Sequence, residues 1–295
     1  MRAAFGLAAL LIAAPAPAQD AVPPYPIVTM TLAGRPVWVR IDPAATAQLT
    51  CTPGLLKKLR DVAAEPGQID FGGLTQPMLQ AWIEVRGTAS GYQWVVFNDR
   101  DARDGSDCEI GPDAFADRVL DFPLRPAAPG EREVALRWTP GKEARLADYS
   151  FAELALGGET LRVRFDPRAA DSFATAAAAR VIAASNGGAL SGASRPTMVA
   201  YGVSRPVREM RLATPLAIGP LALDRLTVRV ADWGSTVRIP EAGKPAEPED
   251  ADTVQVTAKT RPRRLFFLRI GGDWLNRCSR LTFDGPRGEI RLSCL

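Results

Sequence analysis

Short stretches of alternating hydrophobic and polar residues, separated by turns rich in Gly and Pro, make up most of this chain. Residues 27–32 and 37–42 flank the turn at residues 33–36, a pattern typical of a β-hairpin. Helical spacing of apolar residues is clearest at residues 53–64 and in the Ala-rich segment 172–185. The pattern therefore predicts an all-β protein with a few short helices.

Two phrases occur twice in the same order, which indicates an internal duplication. VRIDPAA at residues 39–45 returns as VRFDPRAA at residues 163–170. IGPDAF at residues 110–115 returns as IGGDWL at residues 270–275. We therefore expect two pseudo-symmetric β-barrel lobes, each presenting one aspartate at the end of a strand.

The lobes are assigned to residues 20–126 and 147–295, with a Pro-rich connector at 127–146. Within the second lobe, residues 238–264 contain four prolines, an acidic cluster and a basic cluster. This composition favours a solvated, flexible insertion. Because one chain carries both copies of the repeat, we expect a monomer.

The first 19 residues have the features of a secretory signal peptide. Arg2 precedes an apolar run at residues 3–14, and small residues lead to a cleavage position near Ala18 or Gln19. The run is too short to span a membrane, and no other segment is a candidate span. We therefore expect an exported protein without a membrane span, located in the periplasm.

The four cysteines suggest disulfide bonds, since an even number in an exported chain is typical of them. Three pairings are possible. Proximity within each lobe favours Cys51–Cys108 and Cys278–Cys294, the second pair flanking a hairpin. A redox or metal role is disfavoured because the sequence has no Cys-x-x-Cys.

Composition narrows the chemistry further. The chain has 295 residues, 46% hydrophobic and 23% charged, with a formal net charge of +3. This balance disfavours nucleic-acid binding, and the six scattered Trp residues are expected in the core. The sequence contains no histidine, which excludes Ser-His-Asp and Cys-His catalysis and histidine metal sites. Acid–base chemistry would have to use carboxylates, Lys, Tyr or Cys.

The duplicated pattern resembles the pepsin/retropepsin superfamily of aspartic peptidases, over nearly the whole mature chain. The shared features are a strand ending in Asp, a helix, further strands, then Ile-Gly-x-Asp before a short helix and a closing hairpin. The resemblance implies a bilobal fold in which Asp42 and Asp166 form a catalytic dyad. It implies hydrolysis of polypeptide by a water activated between two carboxylates that share one proton, with no metal or cofactor. It also implies that Ala44, Arg168, Tyr201 and Gly202 contact the substrate, the last two at a flap tip.

Both copies depart from the family motif, Asp-Thr/Ser-Gly. They have Asp42-Pro43-Ala44 and Asp166-Pro167-Arg168 instead. Proline lacks the hydroxyl that ties the two lobes together in the family. If Arg168 lies near the aspartates, it favours ionisation of both carboxylates and opposes proton sharing; alternatively, it faces solvent or binds a substrate carboxylate. The alternative function is therefore an inactive relative that binds an extended peptide or a partner protein in the same cleft.

Two further interpretations concern short segments. Asp113 and Asp273 are expected to cap the short helices that follow the second phrase. Residues 252–258 resemble the TonB box of outer-membrane receptors, which binds a partner by adding a strand to its sheet. An exposed β-prone loop segment is the alternative for these residues.

Overall fold

A computed structural model describes residues 25–59, 61–70, 75–87, 91–98, 105–138, 150–200, 203–230 and 266–295. The predicted signal peptide and the predicted insertion, with its segment 252–258, lie outside these residues. Most described residues are in strands, and the helices are short, so the all-β prediction is confirmed. Among the described segments, no helix has the length and apolar character needed to cross a membrane.

The first lobe is a closed six-stranded barrel. Its strands pair in the order β1-β2-β7-β3-β6-β5, β1 and β5 close the ring, and β4 extends it beyond β5. Alternation along the strands points Val39, Ile83 and Val95 inward, each at most 2% exposed. The strands are β1 (Ile27–Leu32), β2 (Arg35–Ile41), β3 (Thr50–Cys51), β4 (Glu65–Asp70), β5 (Thr75–Arg86), β6 (Tyr92–Phe97) and β7 (Cys108–Ile110).

The second lobe repeats this strand order element by element. Its sheet runs β10-β11-β16-β12-β15-β14-β13. β11 and β16 are parallel, as β2 and β7 are, and β12 and β15 are parallel, as β3 and β6 are. The strands are β10 (Ala152–Leu156), β11 (Glu159–Phe165), β12 (Phe173–Ala174), β13 (Gly188–Ala200), β14 (Val203–Ile218), β15 (Leu221–Arg229) and β16 (Phe267–Ile270).

The lobes differ in how the sheet is completed. In the first lobe, Thr31 and Leu32 of β1 pair with Arg86 and Val85 of β5. In the second lobe, helix α2 (Ala176–Asn186) packs against β10, β13, β14 and β15. Ala177, Ala178 and Ile182 are buried on the face of α2 that meets the sheet. A helix therefore packs on the second sheet where strand pairing closes the first.

Both longer predicted helices begin or end differently from the prediction. Thr175 caps α2, and residues 173–174 instead form β12, so the helix starts four residues later than expected. The helix predicted over residues 53–64 was wrong in length, because α1 covers Pro53–Leu56 only. Leu59 and Val62 pack against the core, but the described backbone from residue 57 to residue 64 is turn or irregular structure.

A four-stranded sheet joins the two halves of the chain. Its order is β8-β17-β18-β9, where β8 (Val119–Pro123) and β9 (Arg132–Arg137) follow the first barrel, and β17 (Cys278–Asp284) and β18 (Glu289–Cys294) end the chain. The short helix α3 (Gly272–Leu275) precedes β17. The described part of the predicted connector therefore contains a strand of this shared sheet.

Both predicted disulfides are present. Cys51–Cys108 joins register partners of β3 and β7, and Cys278–Cys294 joins register partners of β17 and β18. The four cysteines are fully buried. These cross-links fit export to an oxidising compartment.

Candidate functional site between the lobes

Asp42 and Asp166 occupy equivalent positions at the ends of β2 and β11. The backbone N–H of Asp42 donates to Ile110 O at 2.9 Å, and that of Asp166 donates to Ile270 O at the same distance. Each bond continues the parallel pairing of β2 with β7, or of β11 with β16. The strand–Asp unit and the Ile-Gly phrase are therefore a single structural unit in each lobe.

The glycine of the second phrase permits this close approach. A Cβ on Gly111 would lie 2.2 Å from Ala45 O, and a Cβ on Gly271 would lie 2.6 Å from the Asp171 carbonyl carbon. Any side chain at these positions would collide with the turn after the aspartate. The repeated glycine thus has a packing cause in both lobes.

Backbone amides hold both carboxylates in the turn. Ala44 N donates to Asp42 Oδ1 at 2.8 Å, and Ala169 N donates to Asp166 Oδ1 at 3.2 Å. An N–H is thus directed at the carboxylate in each lobe, although Pro43 and Pro167 have neither a hydroxyl nor an N–H.

Two arginines of the second lobe contact the first lobe. Arg164 Nη1 donates to Ala44 O at 3.2 Å, from the end of β11 to the turn after Asp42. Arg168 also crosses the interface, with its Nη1 3.8 Å from Asp42 Oδ2. The two turns are therefore joined by guanidinium groups of the second lobe.

Four guanidinium groups surround the two aspartates. Arg40 Nε lies 3.5 Å from Asp42 Oδ2, in addition to Arg168. Arg164 Nη2 and Arg269 Nη1 each lie 4.0 Å from Asp166 Oδ2. Arg40, Arg164 and Arg269 are buried, whereas the Arg168 side chain is 32% exposed. Arg168 is therefore the cation of this cluster most accessible from solvent.

One charge breaks the symmetry of the cluster. Arg40 pairs in register with Glu109 of β7, and their side chains form a salt bridge of 2.7 Å. Arg164 pairs in register with Arg269 of β16, at the equivalent position. A Glu–Arg ion pair in the first lobe thus corresponds to two arginines in the second lobe.

The environment of Asp42 favours its protonated form. Burial raises the pKa of Asp42 to about 7, and the charges of Glu109 and Asp166 add to this, while Arg40 opposes it. The ion pairs with Arg40 and Arg168 do not outweigh burial, because both span 3.5 Å or more. Burial also lowers the pKa of Arg269, which Asp166 opposes.

Tyr25 is also part of this cluster. Burial raises the pKa of its phenol, and the charges of Asp42 and Asp166 raise it further. The Arg168 guanidinium lies over the Tyr25 ring, 5.3 Å from its centroid. Tyr25 therefore orients the exposed arginine beside Asp42.

Asp113 and Asp273 do not cap their helices, contrary to expectation. Neither α3 nor the 3₁₀ helix Pro112–Phe115 has a side-chain cap. Asp113 Oδ1 accepts from Trp138 Nε1 and Ser150 Oγ. Asp273 Oδ1 accepts from the backbone N–H and the hydroxyl of Ser172. These bonds link each short helix to a distant segment, so tertiary contacts compete successfully with capping.

The structure brings Asp42, Ala44, Asp166 and Arg168 together. Tyr201 and Gly202 lie outside the described residues. No protein-family model matches the chain, and no curated protein matches it. The site's chemistry is therefore inferred from its residues.

Sequence reasoning missed five members of this cluster, although the repeat held a signal for four. Arg40 and Arg164 stand two residues before the aspartates, and Glu109 and Arg269 stand directly before the Ile-Gly phrase. Comparing the two copies position by position would have revealed one shared arginine and one reversed charge. Nothing in the repeat points to Tyr25, which precedes the first copy.

Proposed function

We propose that this protein is an exported, periplasmic relative of bilobal aspartic peptidases that binds an extended polypeptide between its lobes without hydrolysing it. The observation that carries this proposal is the arginine cluster. Guanidinium groups lie within 4.0 Å of each aspartate and oppose protonation of the carboxylates. The proton on Asp42 is held mainly by burial and by Glu109, whereas a proton-sharing dyad requires one carboxylate kept protonated mainly by its partner.

The raised pKa of Asp42 has a different main cause from that of a catalytic pair. Burial comes first and Glu109 second, and Asp166 contributes less than either. The proton on Asp42 therefore follows from a buried carboxylate beside a second acid of its own lobe.

The accessible cation of the site favours a ligand with a carboxylate. Arg168 is partly exposed, and its only ion pair within the described residues is 3.8 Å long. A guanidinium in this state can form a bidentate bond with an incoming carboxylate. We expect an acidic side chain or a chain terminus of the polypeptide to bind here.

A binding assay with matched peptides tests this proposal. Fluorescence anisotropy would compare an unfolded Glu-containing peptide with the same peptide carrying Gln. Arg168→Gln should weaken binding of the acidic peptide about tenfold, because a charge-assisted contact is lost, and should leave the Gln peptide nearly unchanged. The control Arg225→Gln removes an arginine that is 60% exposed on β15. Equal loss in both variants, or no binding of either peptide, would contradict the proposal.

A second candidate is peptide hydrolysis by a water activated between Asp42 and Asp166. The observation that favours it is that Asp166 helps to raise the pKa of Asp42, so the two carboxylates interact. An active dyad would give cleavage in mildly acidic solution, and cleavage would require both aspartates.

A further inference from the structure

A cavity of about 400 Å³ opens on the outer face of the first barrel, and shares no residue with the interlobe cluster. Three aromatic side chains line it: Trp82 on β5, and Tyr92 and Trp94 on β6. Trp82 and Trp94 are direct register partners, with ring centroids 5.5 Å apart, and Trp82 stacks on Tyr92 at 6.5 Å.

These rings contradict the expectation that the Trp residues pack the core. Trp138 and Trp274 are buried, but Trp82 is 56% exposed and Trp38 is 60% exposed. The reason is strand alternation: Ile83 points into the barrel, so its neighbour Trp82 points outward. Exposed aromatic surface next to a cavity is typical of a binding site.

The rest of the cavity wall is acidic. Asp61, Glu65 and Glu84 line it, and no basic residue does so within the described part of the chain. Glu84 forms a solvent-exposed ion pair with Arg86, and Glu65 accepts a hydrogen bond from Gln80. Asp61 is exposed. The wall therefore carries negative charge beside electron-rich rings.

We infer that this cavity binds an organic cation, an alkylammonium or guanidinium group. Aromatic faces attract cations through the ring quadrupole, and carboxylates attract them through charge, so the two parts of the wall favour the same ligand. A sugar would also stack on the rings and donate hydroxyl hydrogen bonds to the carboxylates, but only a cation gains from the negative charge itself. The cation belongs either to a small molecule or to a basic side chain of a polypeptide.

Indole N–H resonances of the full mature chain give a site-specific test. The probes are tetramethylammonium chloride, N-acetyl-arginine amide, a short Arg-rich peptide, and the neutral compounds tert-butanol and methyl β-glucoside. The cations should shift the Trp82 and Trp94 resonances and leave Trp38 in place. Preference for tetramethylammonium indicates a small-molecule source, and preference for the peptide indicates a polypeptide source; either supports the inference.

Three variants separate the site from general surface effects. Trp82→Leu should weaken cation binding about tenfold by removing the main ring. Asp61→Asn should weaken it about threefold at low salt, an effect that added salt should abolish. Trp38→Leu, an exposed Trp outside the cavity wall, should leave the affinity unchanged. Circular dichroism would confirm that each variant is folded. Absence of cation-induced shifts, equal shifts with the neutral probes, or unchanged affinity in Trp82→Leu would overturn the inference.

Discussion

The two lobes have the same strand arrangement but different charges around their aspartates. Each has seven strands in the same order, an aspartate held by a backbone amide, and a glycine packed against the turn. In the first lobe, Arg40 faces Glu109, and Asp42 has a raised pKa. In the second lobe, Arg164 and Arg269 both lie near Asp166.

This difference shows which features the fold requires. The glycine cannot be replaced without collision, and the amide bonds come from the backbone, so both copies keep them. The strand arrangement restricts side-chain charge less, because Glu109 and Arg269 carry opposite charges at equivalent positions of the two lobes. Arg164 and Arg168 of the second lobe also join the lobes.

The largest expected effect is the loss of Arg40. Arg40→Met leaves Glu109 and Asp42 buried without this cation, which should lower the free energy of unfolding by about 3–5 kcal/mol. Arg164→Met should cost less, about 1–2 kcal/mol, because Arg269 remains beside Asp166. Urea denaturation measures both.

Arg86→Met serves as the control for an exposed ion pair, and should change stability by less than about 1 kcal/mol. If Arg40→Met were no more destabilising than Arg164→Met, the proposed asymmetry of the lobes would be wrong.

The second effect is a dependence of stability on pH that arises in the first lobe. Asp42 has a pKa of about 7 in the folded chain, against an ordinary value of 3.8. Protonation of Asp42 therefore stabilises the folded chain, and this stabilisation is fully present below about pH 4. It should be lost as the pH rises to about 7, by at most about 1.4 kcal/mol of unfolding free energy per pH unit.

Unfolding measured from pH 4 to 8 in wild type and two variants would test this. Asp42→Asn should flatten the curve, whereas Asp166→Asn should keep most of its slope. A slope that survives in Asp42→Asn would assign the effect to another group.

A smaller effect tests the role of Glu109 alone. Glu109→Gln removes the largest charge that raises the pKa of Asp42, so that pKa should fall below 7 while burial keeps it above the ordinary value. Carboxyl carbon NMR titration follows Asp42 directly. Arg269→Gln, at the equivalent position of the second lobe, is the matched control and should change the pKa of Asp42 less. A larger change with Arg269→Gln would reverse the comparison.

Sequence pattern was sufficient for the fold class, because the repeat and the strand alternation are local features. It also gave the disulfide pairs, which are close in each half of the chain. It overestimated α1, because Leu59 and Val62 contact the core from outside the helix, and apolar spacing alone does not distinguish this from a longer helix. It also placed Trp82 in the core, because hydrophobic character alone does not say which face of a strand is buried.

The site was predicted in part for a similar reason. Asp42, Asp166 and Arg168 stand in the repeated phrases, so their proximity follows from pseudo-symmetry. The roles of Glu109 and Arg269 depend on parallel pairing of strands more than 65 residues apart. Tyr25 reaches the cluster through packing alone, which no local pattern shows.

Cleavage of an unfolded substrate protein by this protein, from pH 3 to 8, tests the central claim most directly. Wild type would be compared with Asp42→Asn and Asp166→Asn, all shown to be folded. We predict no cleavage by any of the three at any pH, together with binding of the acidic peptide by the wild type. Cleavage by the wild type that disappears in both variants would contradict the account, and would show that the aspartates act as a catalytic pair despite their arginines.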